Sequence, residues 1–83
     1  MVADRVPLRD QAYSLEPAQY GQPLHRAETA IPVRAWVLTR HGHARVDGHA
    51  VAWTPRAVLL RYVDEHGREG TAWVWANAVT RRE

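Results

Sequence analysis

The chain has 83 residues, of which 46% are hydrophobic, and a formal net charge of +2. This length allows one small domain, and this composition disfavours disorder along the whole chain. The sequence contains no cysteine, which excludes disulfide frameworks, Cys-ligated zinc, iron–sulfur clusters and a thiol nucleophile. No apolar run reaches the roughly 20 residues of a membrane-spanning helix, and no N-terminal signal pattern is present. We therefore expect a cytoplasmic protein without a membrane partner.

All 11 basic residues are arginines, because lysine is absent. Each guanidinium stays protonated and can make bidentate contacts or stack on an aromatic ring. A net charge of +2 is nevertheless too small to indicate nucleic-acid binding by itself.

Residues 1–30 predict an irregular N-terminal arm. Pro7, Pro17, Gly21 and Pro23 interrupt any regular period in this segment. Its scattered apolar side chains are Val6, Leu8, Tyr13, Leu15, Tyr20 and Leu24. These side chains favour docking onto the rest of the chain over a solvated tail, although the sequence leaves open whether the arm is ordered.

Residues 31–83 predict a small all-β domain. Apolar and polar residues alternate over residues 31–39, and further strands are expected at 43–53, 57–63, 69–75 and 79–82. The dipeptide Asp47-Gly48 leaves two interpretations of the second region, a hairpin turn or one bent strand with a bulge at Gly48. Parity favours the bent strand, with Ala44, Ala50 and Ala52 on one face. Short strands joined by tight turns predict a closed or nearly closed five-stranded barrel.

The stretch AVLLRYVDEHGREGTAWVWANAVTRR, residues 57–82, resembles the second half of an SH3-like or Tudor-like barrel. The matching features are an apolar strand that ends at Val63, a loop that closes on Gly67, and Trp73-Val74-Trp75 followed by Ala76-Asn77-Ala78. In that family a one-turn 3₁₀ segment joins the last two strands, where this chain has Ala76 to Ala78. The resemblance extends over about residues 31–82. It implies an SH3-like barrel that binds peptides, methylated side chains or nucleic acid.

The sequence offers little support for catalysis. Ser14 is the only serine and lies in the arm, and no glycine-rich loop that could hold a phosphate is present. Asp64, Glu65 and Glu69 flank one hairpin, where a solvated turn explains them better than a catalytic carboxylate pair. We therefore expect no enzyme, no small-molecule substrate and no cofactor.

The histidines give one candidate for a metal site. His41 and His43 point the same way on an extended segment, and His49 can join them across a turn. This spacing matches no closed four-ligand set. We therefore expect no bound metal.

The predicted strands carry large apolar residues on both faces. The expected inner set comprises Val33, Ala35, Val37, Val58, Leu60, Tyr62, Ala72, Val74 and Val79. The opposite set comprises Trp36, Leu38, Leu59, Val63, Trp73 and Trp75. Because protein interiors are close-packed, a small barrel holds only one set, and the other would expose on the order of 500 Å² or more. Monomers rarely leave so large an apolar patch uncovered.

Three covers for this patch are compatible with the sequence. The arm can fold back through Leu8, Tyr13, Leu15 or Tyr20. A protein partner or a second copy of the chain can bind, because Trp and Arg are enriched at interface hot spots. A nucleic acid can bind with its bases on the indoles and its phosphates on the guanidiniums.

We therefore expect a noncatalytic adaptor module that mediates protein–protein interaction or self-association. The alternative is a nucleic-acid-binding accessory or regulatory protein. The expected partner-binding residues are Trp36, Trp73, Trp75, Arg34, Arg40 and Arg61. In this interpretation the indoles are the anchors and the arginines supply directional contacts at the rim, so Trp73→Ala weakens the complex by ~2 kcal/mol or more.

Overall fold

Five antiparallel strands form one sheet in the computed structural model, which describes residues 4–82. The strands are β1 (His25–Thr39), β2 (Gly42–Trp53), β3 (Ala57–Val63), β4 (Glu69–Trp75) and β5 (Val79–Arg81). Their order in the sheet is β4-β3-β2-β1-β5, with only antiparallel pairs between neighbouring strands. The expected all-β fold is confirmed. The closure into a barrel and the SH3-like resemblance stay predictions.

Helical structure is confined to three short segments of the described chain. A 3₁₀ turn spans Leu8–Asp10, helix α1 spans Pro17–Tyr20, and a second 3₁₀ turn spans Ala76–Ala78. The last of these confirms the tight turn expected between the final two strands. Among residues 4–82, no helix has the length and apolar character needed to cross a membrane.

Strand β1 begins at His25 rather than at the expected Ile31. His25 and Arg26 pair with the end of β2, at Trp53 and Ala52, and the register shifts between Arg26 and Ile31. The long β2 supplies hydrogen-bonding partners for these residues, so the strand extends beyond the segment whose alternation marks it in the sequence. The segment before β1 is correspondingly shorter than the expected arm.

The dipeptide Asp47-Gly48 lies inside a continuous β2, which confirms the single-strand interpretation. The register shift against β3 falls between Ala50 and Ala52, however, and not at Gly48. Ala50 is opposite Leu60 whereas Ala52 is opposite its neighbour Leu59. Directly opposed residues of an antiparallel pair share a face, so the expectation that Ala50 and Ala52 lie on one face is wrong.

The core lies on one face of the sheet, called here the inner face. The buried residues of the expected inner set are Val33, Ala35, Val37, Leu60, Tyr62, Ala72 and Val74, and Val58 and Val79 pack against them. Val6 and Ala12 complete this core from the segment before β1. The segment is therefore an integral part of the domain.

The segment of residues 4–24, called the arm below, wraps around the free edge of β4. The main-chain N of Val6 donates to the O of Glu69 at 2.9 Å, and the N of Leu15 donates to the O of Trp73 at 2.9 Å. The N of Trp73 in turn donates to Ser14 Oγ at 2.8 Å. An uncovered strand edge invites pairing with other chains, and the arm removes that exposure along β4.

Candidate functional site

The predicted tryptophan anchors lie in different environments on the outer face, opposite the core. Trp36 of β1 is 52% exposed and Trp75 at the end of β4 is 45% exposed. Trp73 is only partly accessible, because Tyr20 of the arm stacks on it with ring centroids 4.1 Å apart and planes 14° from parallel. Replacing Trp73 would therefore also loosen the arm.

The exposed indoles do not form one apolar patch. Trp36 is opposite Arg45 on β2, close to the β1–β2 turn, whereas Trp75 is opposite Ala57 at the start of β3. Polar pairs lie between these positions: Arg34 opposite Asp47 on β1 and β2, and His49 opposite Arg61 on β2 and β3. The outer face thus presents separate aromatic sites on a polar surface.

The most strongly charged feature near Trp36 is a group of arginines around one carboxylate, which we call the arginine cluster. Its members are Arg34, Arg45, Arg81 and Arg82, which together with Asp47 and Thr80 line a shallow depression of about 410 Å³. Among the described residues, guanidiniums outnumber carboxylates in the lining of this depression, and Arg34, Arg45 and Arg82 act on the charge of Asp47. Such an excess attracts anionic groups.

The pKa of Asp47 reflects the arginines around it. Arg34 Nε donates a hydrogen bond to Asp47 Oδ1 at 2.9 Å. This hydrogen bond lowers the pKa of Asp47; burial opposes it, and the positive charges of Arg34, Arg82 and Arg45 lower the pKa further. Asp47 therefore stays ionised and holds Arg34 in place across the β1–β2 pair.

The arginines of the cluster differ in how many of their donors are already used. Arg34 is paired with Asp47, and Arg82 donates to the main-chain oxygens of Val33 and Gly48, both at 3.0 Å. Arg45 lies over the Trp36 ring, 5.9 Å from its centroid. Within residues 4–82, neither Arg45 nor Arg81 forms an ion pair with a carboxylate. Of these two, only Arg45 lies on the outer face beside Trp36, because Arg81 is opposite the buried Val33 of the inner face.

The other two arginines expected at the rim lie apart from this cluster. Arg40 Nε is 3.0 Å from Asp10 Oδ1 and donates to His41 Nε2 at 3.1 Å, so it ties the β1–β2 turn to the arm. Arg61 is exposed on β3, opposite His49 and Thr71. Of the six expected residues, only Trp36 and Arg34 lie beside the arginine cluster.

The sequence reasoning missed Arg45, Asp47, Arg81 and Arg82. A signal for the first two exists: pairing β1 and β2 outward from the Arg40-His41 turn places Arg45 opposite Trp36 and Asp47 opposite Arg34. Both are favourable cross-strand pairs. The last two reach the site through pairing of β5 with β1, which no local pattern announces.

The polar residues weighed for catalysis have structural contacts. Ser14 Oγ accepts its hydrogen bond from Trp73, and Asp64 Oδ1 accepts from the main-chain N of His66 at 2.9 Å and of Arg68 at 2.8 Å. Burial disfavours the ionised form of Asp64, but the hydrogen bonds and charge of Arg68 and the His66 N–H outweigh it and lower its pKa. Within the described part of the chain, no three His, Asp or Glu side chains gather as a metal-binding group.

Comparisons of the chain with protein-family models, with curated proteins and with solved structures find no match.

Proposed function

We propose that this chain is a noncatalytic binding module that contacts an anionic protein partner through Trp36 and the arginine cluster. The observation that carries this proposal is Arg45 over an indole that is 52% exposed, beside the arginines that surround Asp47. Tryptophan and arginine are the residue types most enriched at interface hot spots. The partner would supply a carboxylate to Arg45 and an apolar contact to Trp36.

The use of the guanidinium donors favours a protein partner over a nucleic acid. Arg34 and Arg82 already donate within the domain, which leaves Arg45 as the outer-face guanidinium of the cluster for an external anion. A protein surface with one or a few carboxylates matches this single guanidinium, whereas nucleic-acid affinity comes from many phosphate contacts.

A single-stranded nucleic acid is the second candidate, because Arg45 lies over the exposed Trp36 ring. Aromatic rings beside guanidiniums form stacking platforms for bases. Fluorescence anisotropy with labelled single-stranded DNA separates the two candidates. Binding to nucleic acid would weaken steeply with salt, with a slope near −0.7 for each neutralised phosphate.

The test of the proposal is selection of displayed random peptides on the full-length chain. We expect the selected peptides to be acidic and to bind Trp36→Ala at least about tenfold more weakly, as for a hot-spot residue. Trp75→Ala is the matched control, because it removes an indole of similar exposure away from the cluster. Selected peptides without acidic residues, or equal binding to both variants, would overturn the proposal.

Self-association is the remaining form of protein contact that the sequence suggested. Light scattering after size-exclusion chromatography of the full-length chain measures it directly. A dimer that Trp36→Ala converts to a monomer would identify a second copy as the partner. A monomer at all concentrations leaves a different protein as the partner.

A further inference from the structure

One side of β2 lacks a neighbouring strand over nearly half of its length. Strand β2 pairs with β1 from Gly42 to Trp53, but it pairs with β3 only from Gly48 onward. Strand β3 ends at Val63, and the chain then turns away at Asp64. Within residues 4–82, residues 43–47 therefore have no strand on their β3 side, and we call this side the β2 edge.

The β2 edge carries unpaired main-chain groups. In an antiparallel strand every second residue directs its N–H and C=O to the same side. Residues 43–47 thus present roughly two or three donor–acceptor pairs to that side. No main-chain hydrogen bond outside the β1–β2 ladder is made by these residues within the described chain.

The β2 edge opens into a cavity of about 850 Å³ between the β1–β2 turn and the β3–β4 turn. This volume is in the range of about 300–1,000 Å³ typical of ligand clefts. The far wall is ordered, because Asp64 accepts hydrogen bonds from His66 and Arg68 and forms an ion pair with Arg68 at 2.7 Å. The cavity is therefore a preformed slot beside a strand.

The two sides of the slot differ in chemistry. On the outer face Arg45 lines the cavity without a carboxylate partner in the described residues. On the inner face Ala44 and Val46 are half-buried and pack against the core, beside Tyr62. A strand laid along the β2 edge would have alternate side chains on these two sides.

We propose that the slot accepts an extended peptide that adds as a further strand along residues 43–47. Its acidic side chains would face Arg45 on the outer face, and its apolar side chains would cover Ala44 and Val46 on the inner face. This inference rests on the proposed function and specifies the partner as an extended peptide of alternating acidic and apolar residues.

The chemistry of the edge favours this occupant over two others. A peptide main chain offers both donors and acceptors at the spacing of a strand, which a nucleic-acid backbone does not. A second copy that paired antiparallel about the centre of residues 43–47 would place Arg45 opposite its own copy, which is a destabilising like-charge pair. Proline and inward-facing charge, two devices that protect strand edges, are absent from residues 43–47.

The probe is a capped peptide of alternating Glu and Val residues, titrated into the ¹⁵N-labelled full-length chain. We expect the largest amide shifts at residues 43–47. Peptides N-methylated at every second residue provide a matched pair, because only one of the two alternate sets of N–H groups faces β2. The peptide methylated on the N–H groups that face β2 should bind at least about tenfold more weakly, and the other peptide should bind nearly as well as the unmethylated one.

The protein variants test the charge part of the proposal. Arg45→Ala should weaken the Glu peptide at least about tenfold but leave a Gln version of the same peptide nearly unchanged. Arg26→Ala is the control, because Arg26 lies near the other end of β2, opposite Ala52. Both variants need thermal unfolding temperatures close to that of the wild type.

The possible outcomes separate the two proposals. Strand addition is overturned if binding shifts the NMR signal of the Trp36 indole but not the amide signals of residues 43–47. It is also overturned if both N-methylated sets weaken binding equally. Either result leaves the proposed function standing. Shifts at residues 43–47 caused by single-stranded DNA, or by chain concentration alone, also overturn strand addition. A Glu/Val peptide that does not bind refutes the assigned peptide chemistry, and acidic peptides that ignore Trp36→Ala refute the proposed function itself.

Discussion

The contact between Tyr62 and the arm gives a sharp test of how the arm is held. Tyr62 of β3 lies in the core, and its hydroxyl Oη accepts a hydrogen bond from the main-chain N of Ala12 at 3.0 Å. Tyr62 is 3% exposed and Ala12 is 6% exposed, so water does not reach the pair. The substitution Tyr62→Phe removes one oxygen and keeps the ring that packs over Gly70.

The expected cost follows from the loss of an acceptor at a buried site. Without the hydroxyl, the Ala12 N–H remains buried with no acceptor at that position, which costs about 1–3 kcal/mol. A loss of 1 kcal/mol lowers the melting temperature of a domain of this length by about 4–8 °C. The variant should therefore melt well below the wild type while it keeps the same sheet.

Urea unfolding followed by circular dichroism measures the free energy, and hydrogen exchange reports the Ala12 amide directly. We expect Tyr62→Phe to lose about 1–3 kcal/mol and to exchange the Ala12 amide faster. The matched control is Tyr13→Phe, because Tyr13 is exposed and should change stability by less than about 0.5 kcal/mol. A Tyr62→Phe variant as stable as the control, with unchanged Ala12 exchange, would refute the assigned hydrogen bond.

Three further predictions concern the close approach of β2 and β3 at Gly48, the stack of Tyr20 on Trp73 and the β3–β4 turn. A Cβ at Gly48 would collide with the main-chain O of Arg61, so Gly48→Ala should cost at least about 1–3 kcal/mol in urea unfolding. Tyr20→Ala should remove about 0.5–1.5 kcal/mol of stacking beyond lost burial and should shift the fluorescence of Trp73 to longer wavelength as water reaches it. The pKa of Asp64 lies below its ordinary 3.8, so the stability it contributes is complete above that value and is lost as pH falls through the lowered pKa. As the pH is lowered from about 5 to about 2, the free energy of unfolding of Asp64→Ala should therefore fall less than that of the wild type, as measured by urea unfolding.

Alternation along the strands predicted most of the core side chains of the sheet, but not Val6 and Ala12 of the arm. The expected residues of β3, Leu60 and Tyr62, are buried, and so are Ala72 and Val74 on β4. Burial on one face requires a period of two residues, so the sequence must carry this information wherever a strand is half-buried.

The position of the β2 irregularity could not be read from the same pattern. The shift between Ala50 and Ala52 depends on how β2 meets β3, where Gly48 allows the main chains to approach closely. Either glycine or a run of small residues can mark such a site in a sequence. The Asp47-Gly48 dipeptide therefore suggested a bulge at the glycine, two or more residues before the actual shift.

The candidate site was only partly predictable, for a similar reason. Trp36 and Arg34 follow from the alternation of β1, but Arg81 and Arg82 join them through the pairing of the distant β5 with β1. The covering of Trp73 by Tyr20 depends on the path of an irregular segment. Contacts of this kind are set by tertiary packing and leave no local periodicity.

The course of the arm has a practical consequence for any shortened or fused form of this protein. A version that starts at β1 would lack two core side chains, Val6 and Ala12, and would leave the main chain of β4 bare along its outer side. Exposed strand edges pair edge to edge with the same strand of other copies, which is the first step toward fibrils. Affinity tags and fluorescent fusions are therefore better attached after β5, and cleavage within the first twenty or so residues should turn a monodisperse preparation into an aggregating one.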